Sequence, residues 1–175
     1  MSQERFYYLD NNATTPVAPE VADAMIPYLR DGWANPSSAY RMASVVHKAV
    51  EDARAKVAEL IHADPKEVTF TSCGTESNNT AIHSALVTQP GKRHVVTTAV
   101  EHSANINFGE YLRKQGYDIT FLPVDSDGSL DLHVLEKSIR SDTAIVSTMW
   151  ANNETGVLFP IEEIAAICRS KGVLF

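Results

Sequence analysis

The sequence is 175 residues long, 44% hydrophobic, with a formal net charge of −7. Those values fit one domain able to bury a real core, exclude a disordered chain, and argue against a protein that grips nucleic-acid phosphates. No apolar run reaches the ~18 residues of a membrane span, and "MSQERFYYLDNN" lacks the apolar centre of a signal peptide, so a cytoplasmic protein is expected. In such a protein the Asn-x-Thr triplets at Asn12, Asn78 and Asn153 are chance matches to a glycosylation pattern.

In chain order, "NNATTPVAPEVADAMIPYL" reads as a loop and then a helix, which Pro27 interrupts and is expected to kink. "GWANPSSAY" is loop-like, with Ser37 or Ser38 offering a cap to the next helix. "VHKAVEDARAKVAELI" carries a helical stripe at Val46, Val50, Ala53, Val57, Leu60 and Ile61. "EVTFT" reads as a strand. "ESNNTAIHSALVT" reads as a helix stopped by Pro90-Gly91. "HVVTTAV" is a strand, "SANINFGEYLRKQ" a helix ended by Gly116, and "DITFLPV" a strand. Asp131 is placed to cap the helix "LHVLEKSIR". "TAIVSTMW" is a strand, "PIEEIAAICRSK" a helix with Pro160 at its start and Gly172 after it, and "GVLF" opens a further strand. Strands alternating with helices predict an α/β fold with a mostly parallel sheet and flanking helices. Phe175 falls inside an apolar strand-like run, so the sequence reads as part of a longer polypeptide.

Cysteine and histidine usage narrows the chemistry. Cys73 and Cys168 do not make a disulfide framework. Cys168 stands at helical spacing with Ile161, Ile164 and Ala165, which predicts a core residue. No H-x-x-x-H or C-x-x-C pair occurs, so no metal site is expected. "DSDGSLDLHVLE" is superficially like a calcium loop, but Leu130 stands where the sharp turn needs glycine, so it reads as a polar turn before a helix.

Polar residues cluster where strands end. In "TSCGTESNN" a strand-to-helix turn aims backbone N–H groups and a helix N-terminus at one spot, which suits an anion such as phosphate. Gly74 allows close approach, Thr75 adds a hydroxyl, and Glu76 sits in the first helical turn, where the dipole favours a carboxylate. "TTAVEHSA" places His102 just past a strand's carboxyl end, and "TMWANNETG" places Asn152, Asn153 and Glu154 past another. Asn152 is expected to be a turn residue. Ligands of open α/β sheets bind at that edge, so these strand ends are expected to face one crevice.

"YLDNNATTPV", "NPSS", "FTSCGTESNN", "EHSA" and "WANNETG", in this order and spacing, closely resemble cysteine desulfurases of the nitrogen-fixation and iron–sulfur-cluster assembly type. The resemblance runs along essentially the whole sequence. It implies the first part of the large domain of the pyridoxal-phosphate type I aminotransferase fold. It implies a homodimer that takes L-cysteine to L-alanine and passes persulfide sulfur to a scaffold or carrier protein. It divides the chain into an N-terminal segment with the first helix, 1–40, and the start of the cofactor-binding large domain, 41–175. By the same resemblance, Gly74 and Thr75 hold the cofactor phosphate. His102 stacks on the pyridine ring and assists proton transfer as the catalytic residue, Asn153 bonds the ring hydroxyl, and Asn11 to Thr15 lie near the substrate entrance. The protein's part in pyridoxal phosphate chemistry is binding, orientation and charge control, and an imidazole titrating near neutrality suits proton movement.

Three parts of the family pattern are absent from these residues: the Schiff-base lysine in Ser-x-His-Lys, the aspartate that holds the pyridine nitrogen, and the persulfide-forming cysteine of a mobile loop. Cys73 does not match that cysteine and is expected to be a small residue tolerated in a crowded turn. The 175-residue chain alone is therefore expected to be inactive. The competing expectations are a selenocysteine lyase or aminotransferase of the same fold, and a non-catalytic binding module.

Overall fold

The computed structural model describes residues 6–175. Residues 1–5, the start of the stretch read above for a signal peptide, lie outside the described residues. The chain divides into two compact units, one ending at Phe70 and the other spanning Thr71–Phe175.

The first unit is helical. Helix α1, Pro19–Arg30, begins with proline and continues through Pro27. That proline cannot donate to the carbonyl four residues earlier, so the helix carries one missing bond without ending there. Helix α2, Arg41–Leu60, is longer than its apolar stripe, and its N-cap is Tyr40, with no side-chain cap. Ser37 and Ser38 do not cap it; Ser37 N–H instead donates to Asn35 Oδ1 at 3.0 Å in a local turn. A single 3₁₀ turn at Pro65–Glu67 is closed by a capping box between Asp64 and Glu67.

"EVTFT" is not a strand. Val68 is extended, but the residues after Glu67 pair with no strand among the described residues. Their partner is α2: the Arg54 guanidinium donates to Val68 O and lies 4.9 Å from the centre of the Phe70 ring. β-branched and aromatic content favours a pleated surface but supplies no ladder.

The second unit alternates as expected. Its elements are α3 Gly74–Val87, β1 His94–Thr98, α4 Ser103–Lys114, β2 Asp118–Leu122, α5 Leu132–Ser138, β3 Thr143–Ser147 and α6 Ile161–Lys171. The three strands form a parallel sheet in the order β2-β1-β3. All five residues of the central strand β1 are buried, as a strand covered on both faces should be. One face carries Val95, Ile119 and Ala144 against Ile82 and Leu86 of α3 and Leu112 of α4. The other carries Val96, Leu122 and Val146 against Leu135 of α5 and Ile164 and Cys168 of α6. Cys168 is thus a core residue, and burial raises its thiol pKa.

The register jumps by one residue between His94 and Val95 relative to β3. That irregularity lets Ala144 and Val146, two apart, serve opposite faces. Asp131 caps α5 by accepting from His133 N and Val134 N, although the helix stops at Ser138, short of Ile139 and Arg140. Gly172 closes α6 in the left-handed conformation, at φ +66°. After it, "GVLF" contributes a single parallel bridge, Leu174 to Ile145, rather than a described strand. The calcium-like stretch is a turn, in which Asp125 Oδ1 accepts from Asp127 N and Ser129 N.

Candidate functional site

Parallel strands put all their carboxyl ends at one edge, and the second unit's polar segments gather there. His102 follows β1 and is the N-cap of α4. Its Nδ1 accepts from Ala104 N at 3.1 Å, so the neutral ring carries its proton on Nε2. Asn153 follows β3, and its Nδ2 donates to Glu154 Oε1 at 2.8 Å.

Helix α3 reaches the same edge. Just past its C-terminus, Gln89 Nε2 donates to Ala85 O at 2.8 Å and to Ala144 O near the amino end of β3 at 3.1 Å. Fourteen residues rising roughly 1.5 Å each carry its N-terminus to the carboxyl side. Gly74 and Thr75 are its first two residues. Asn78, one turn further in, lines an open crevice of about 370 Å³ with Ser147, Thr148 and Trp150 beside β3. Gly74, Thr75, His102 and Asn153 do not line that crevice.

The turn before α3 leaves its backbone open. Its N-cap, Cys73, makes no side-chain cap hydrogen bond. A Cβ added at Gly74 would meet nothing within 4 Å, so the backbone is open to an approaching group. The exposed Cys73 thiol has a lowered pKa, first through the Glu76 amide, then the Ser72 hydroxyl, and less through the Thr75 amide. These donors would favour an anion on that spot. Glu76 is turned back on Ser72, four residues earlier, accepting from both Ser72 N and Ser72 Oγ at 2.6 Å, and its pKa is lowered by that hydroxyl first. Across the turn, Thr71 Oγ1 lies 2.6 Å from Ser77 Oγ.

Two side chains tie the ends of β1 and β3 together beyond the ladder. Asn152 Nδ2 donates to Val100 O at 3.0 Å, while Asn152 Oδ1 accepts from Glu154 N and Thr155 N at 2.9 Å. Asn152 is thus a turn residue. Glu101, which the sequence reading passed over, is buried and accepts from Thr98 Oγ1, Asn105 Nδ2 and Met149 N. The one signal for it in the sequence is a carboxylate next to His102, directly after an apolar strand. Asn11 to Thr15 belong to the first unit, where Ala13 N donates to Asp10 O at 3.2 Å in a turn. Among the described residues no cluster of histidine, cysteine and carboxylate side chains has the arrangement of a metal site, and no helix is long and apolar enough to cross a membrane.

Residues 7–175 match the family model described as aminotransferase class-V. The chain is 55% identical over 168 residues to "Cysteine desulfurase 2" of Trichormus variabilis, covering 96% of this chain and 42% of that protein. It is 48% identical over 169 residues to "Cysteine desulfurase NifS" of Azotobacter vinelandii, with the same two coverages, 96% and 42%. The solved structure "NIFS-LIKE PROTEIN" matches at a TM-score of 0.88 and 40% identity, covering 93% of this chain and 45% of that one. "SspA in complex with cysteine" matches at 0.90 and 34%, covering 95% and 48%. The chain thus spans about 42% of the length of the curated relatives it matches.

Proposed function

Because the chain belongs to the class-V aminotransferase family, we propose that the complete protein is a pyridoxal-phosphate-dependent cysteine desulfurase. Its substrate is L-cysteine, its products are L-alanine and an enzyme persulfide, and the sulfur goes to iron–sulfur cluster assembly through a scaffold or carrier protein. The observation that carries this reading is the N-terminus of α3. Amide donors that lower the Cys73 thiol pKa stand at the same sheet edge as His102 and Asn153. A relative 34% identical to this chain is described as solved with cysteine.

The residues fit the cofactor: an open glycine backbone and anion-stabilising amides for a phosphate, an imidazole and an amide for a ring. In this reading Gly74 and the Thr75 amide and hydroxyl bind the phosphate, His102 lies on the ring, and Asn153 donates to the ring hydroxyl. When bound, pyridoxal phosphate supplies the electron sink for the substrate's Cα. His102 gives and takes a proton there, and with Nδ1 engaged by Ala104 N the exchanging proton is on Nε2. In the net reaction the substrate's Cβ–S bond breaks, Cβ gains a hydrogen, and an enzyme thiol becomes a persulfide. Neither the Ser-x-His-Lys motif nor a matching acceptor cysteine occurs in these 175 residues. The rest of the protein would supply them.

Residues 41–175 are read as the beginning of the large domain, with 1–40 as the segment before it. A cytoplasmic homodimer completes the proposal. The test is to mix the complete protein with pyridoxal phosphate and L-cysteine and quantify alanine and persulfide. Equal amounts of both are expected. Alanine from selenocysteine alone would move the assignment to a lyase, and no turnover of either would overturn it.

A further inference from the structure

A buried carboxylate sits between the loops that carry His102 and Asn153. We propose that Glu101 is a positioning residue that sets the spacing of these two loops; its consequence for the cofactor rests on the reading above. Glu101 is 8% exposed. Its Oε1 accepts from Thr98 Oγ1 at 2.9 Å and from the Met149 amide at 2.8 Å, and its Oε2 accepts from Asn105 Nδ2 at 3.0 Å. One side chain thereby joins the end of β1, the first turn of α4 and the segment after β3.

The place of these bonds is what gives them a role. The ladder between β1 and β3 ends at the pair Thr97 and Ser147. Two residues further on, Met149 N–H has left the sheet, and Glu101 accepts it instead. Asn152 makes the second tie, to Val100 O. His102 is the next residue after one tie and Asn153 the next after the other. A buried carboxylate is costly unless fully hydrogen-bonded, and its three bonded donors here are neutral. Packing alone would be served by an apolar side chain of similar size.

Asn105 makes the idea testable. Its Nδ2 must face Glu101, since a carboxylate only accepts, and its Oδ1 is buried without a hydrogen-bond partner among the described residues. Glutamine at 101 can keep one oxygen on Thr98 and Met149 and turn its NH₂ to Asn105. A flipped Asn105 then offers Oδ1 to that NH₂. Alanine can do neither.

The experiment uses the complete protein, with Glu101→Ala and Glu101→Gln. Segment-resolved hydrogen exchange is followed in the cofactor-free protein, and pyridoxal phosphate affinity by titration. Loss of hydrogen bonds to a charged group should cost Glu101→Ala about tenfold or more in protection over 149–156 and in affinity. Protection of β2 should stay at the wild-type level. Glu101→Gln should stay close to wild type in both readouts. Should the alanine variant not fold, Thr98→Val removes one bond at nearly constant shape and should lower protection in 149–156 by a smaller amount. The proposal is overturned by unchanged protection of 149–156, by a loss spread evenly over all three strands, or by a glutamine variant as damaged as the alanine one. If wild-type protein does not bind pyridoxal phosphate, the functional reading fails, and the exchange comparison still decides the role of Glu101.

Discussion

The two units use the same kind of amphipathic helix to different ends. In the first, α1 buries no residue, and Met25 and Leu29 on it are 51% and 74% exposed. Only Ala43 and Ala58 of α2 are buried. In the second, each face of a three-stranded sheet receives two helices, and residues such as Leu122, Val96 and Ile164 reach 1% exposure or less. Within these 175 residues periodicity sets which face each helix offers, and in the second unit the sheet covers that face. Among the described residues, the edge where strand ends and a helix N-terminus gather belongs to the layered unit.

If that comparison is right, damage should concentrate in the second unit. The largest effect is expected from His102→Ala in the complete protein. General acid–base groups contribute on the order of 10²–10⁴-fold, so turnover should fall in that range while the α3 turn still holds the cofactor phosphate. Steady-state kinetics with a cofactor titration checks both halves. Wild-type turnover would make His102 a capping residue and nothing more.

The next pair compares the units directly. Leu122→Ala opens a hole in a closed core and should cost about 2–5 kcal/mol. In the same 175-residue chain, Met25→Ala on α1, where Met25 is exposed, should stay within about 0.5 kcal/mol. Shifts in urea midpoint at constant slope measure both. Equal losses would mean that Met25 is as closely packed as Leu122.

A smaller effect is expected from pH. His94 is fully buried at the amino end of β1, with Nδ1 2.8 Å from Thr143 Oγ1 and Nε2 2.8 Å from Thr120 Oγ1. Burial lowers its pKa first and the charge of Arg140 lowers it further, against the opposing pull of Asp118 and Asp142. Below the unfolded value of about 6.5, the unfolded chain therefore takes up a proton that the folded one refuses. Stability should fall as pH drops below that value and should not depend on this group above it. Asp118 and Asp142, whose pKa values Arg140 lowers, lose their contribution only in a more acidic window. The urea midpoint should thus drop more between about pH 7.5 and 5.5 in wild type than in His94→Gln. Equal drops would show that the ring charges without cost.

Much of this was legible in the sequence, for reasons that differ by element. The helices from α2 to α6 announce themselves by apolar spacing and by glycine, proline and aspartate punctuation, and the strands by short β-branched runs between those helices, β1 being buried at every position. His102 and Asn153 follow β1 and β3, and sequence order alone assigns such positions to one edge of a parallel sheet; Gly74 and Thr75, expected to follow a strand, instead open α3 with no described strand before them. "EVTFT" misled because a strand needs a ladder, and here Arg54 of α2 takes the Val68 carbonyl instead. Glu101 was passed over because its meaning depends on Met149, 48 residues away, and on an Asn105 side chain that only the fold brings round.

The smallest effect is expected at Cys73. It is exposed and makes no side-chain capping bond to α3, while the Glu76 amide first and the Ser72 hydroxyl next lower its thiol pKa. Those features make it a tempting nucleophile. Yet its thiol sits at the turn assigned to the phosphate, where donors aimed at an anion would be engaged by the cofactor. Serine is a better N-cap, and its oxygen can accept from the amides of the first turn. Cys73→Ser should therefore leave the fold's stability unchanged or raise it by up to about 1 kcal/mol. It should leave persulfide formation intact, because the proposed acceptor is another cysteine of the complete protein. The check is mass spectrometry of the persulfide after one turnover, beside alanine yield and cofactor content. A variant that folds and binds cofactor but forms no persulfide would move the sulfur chemistry onto Cys73 and set aside the phosphate assignment for this turn.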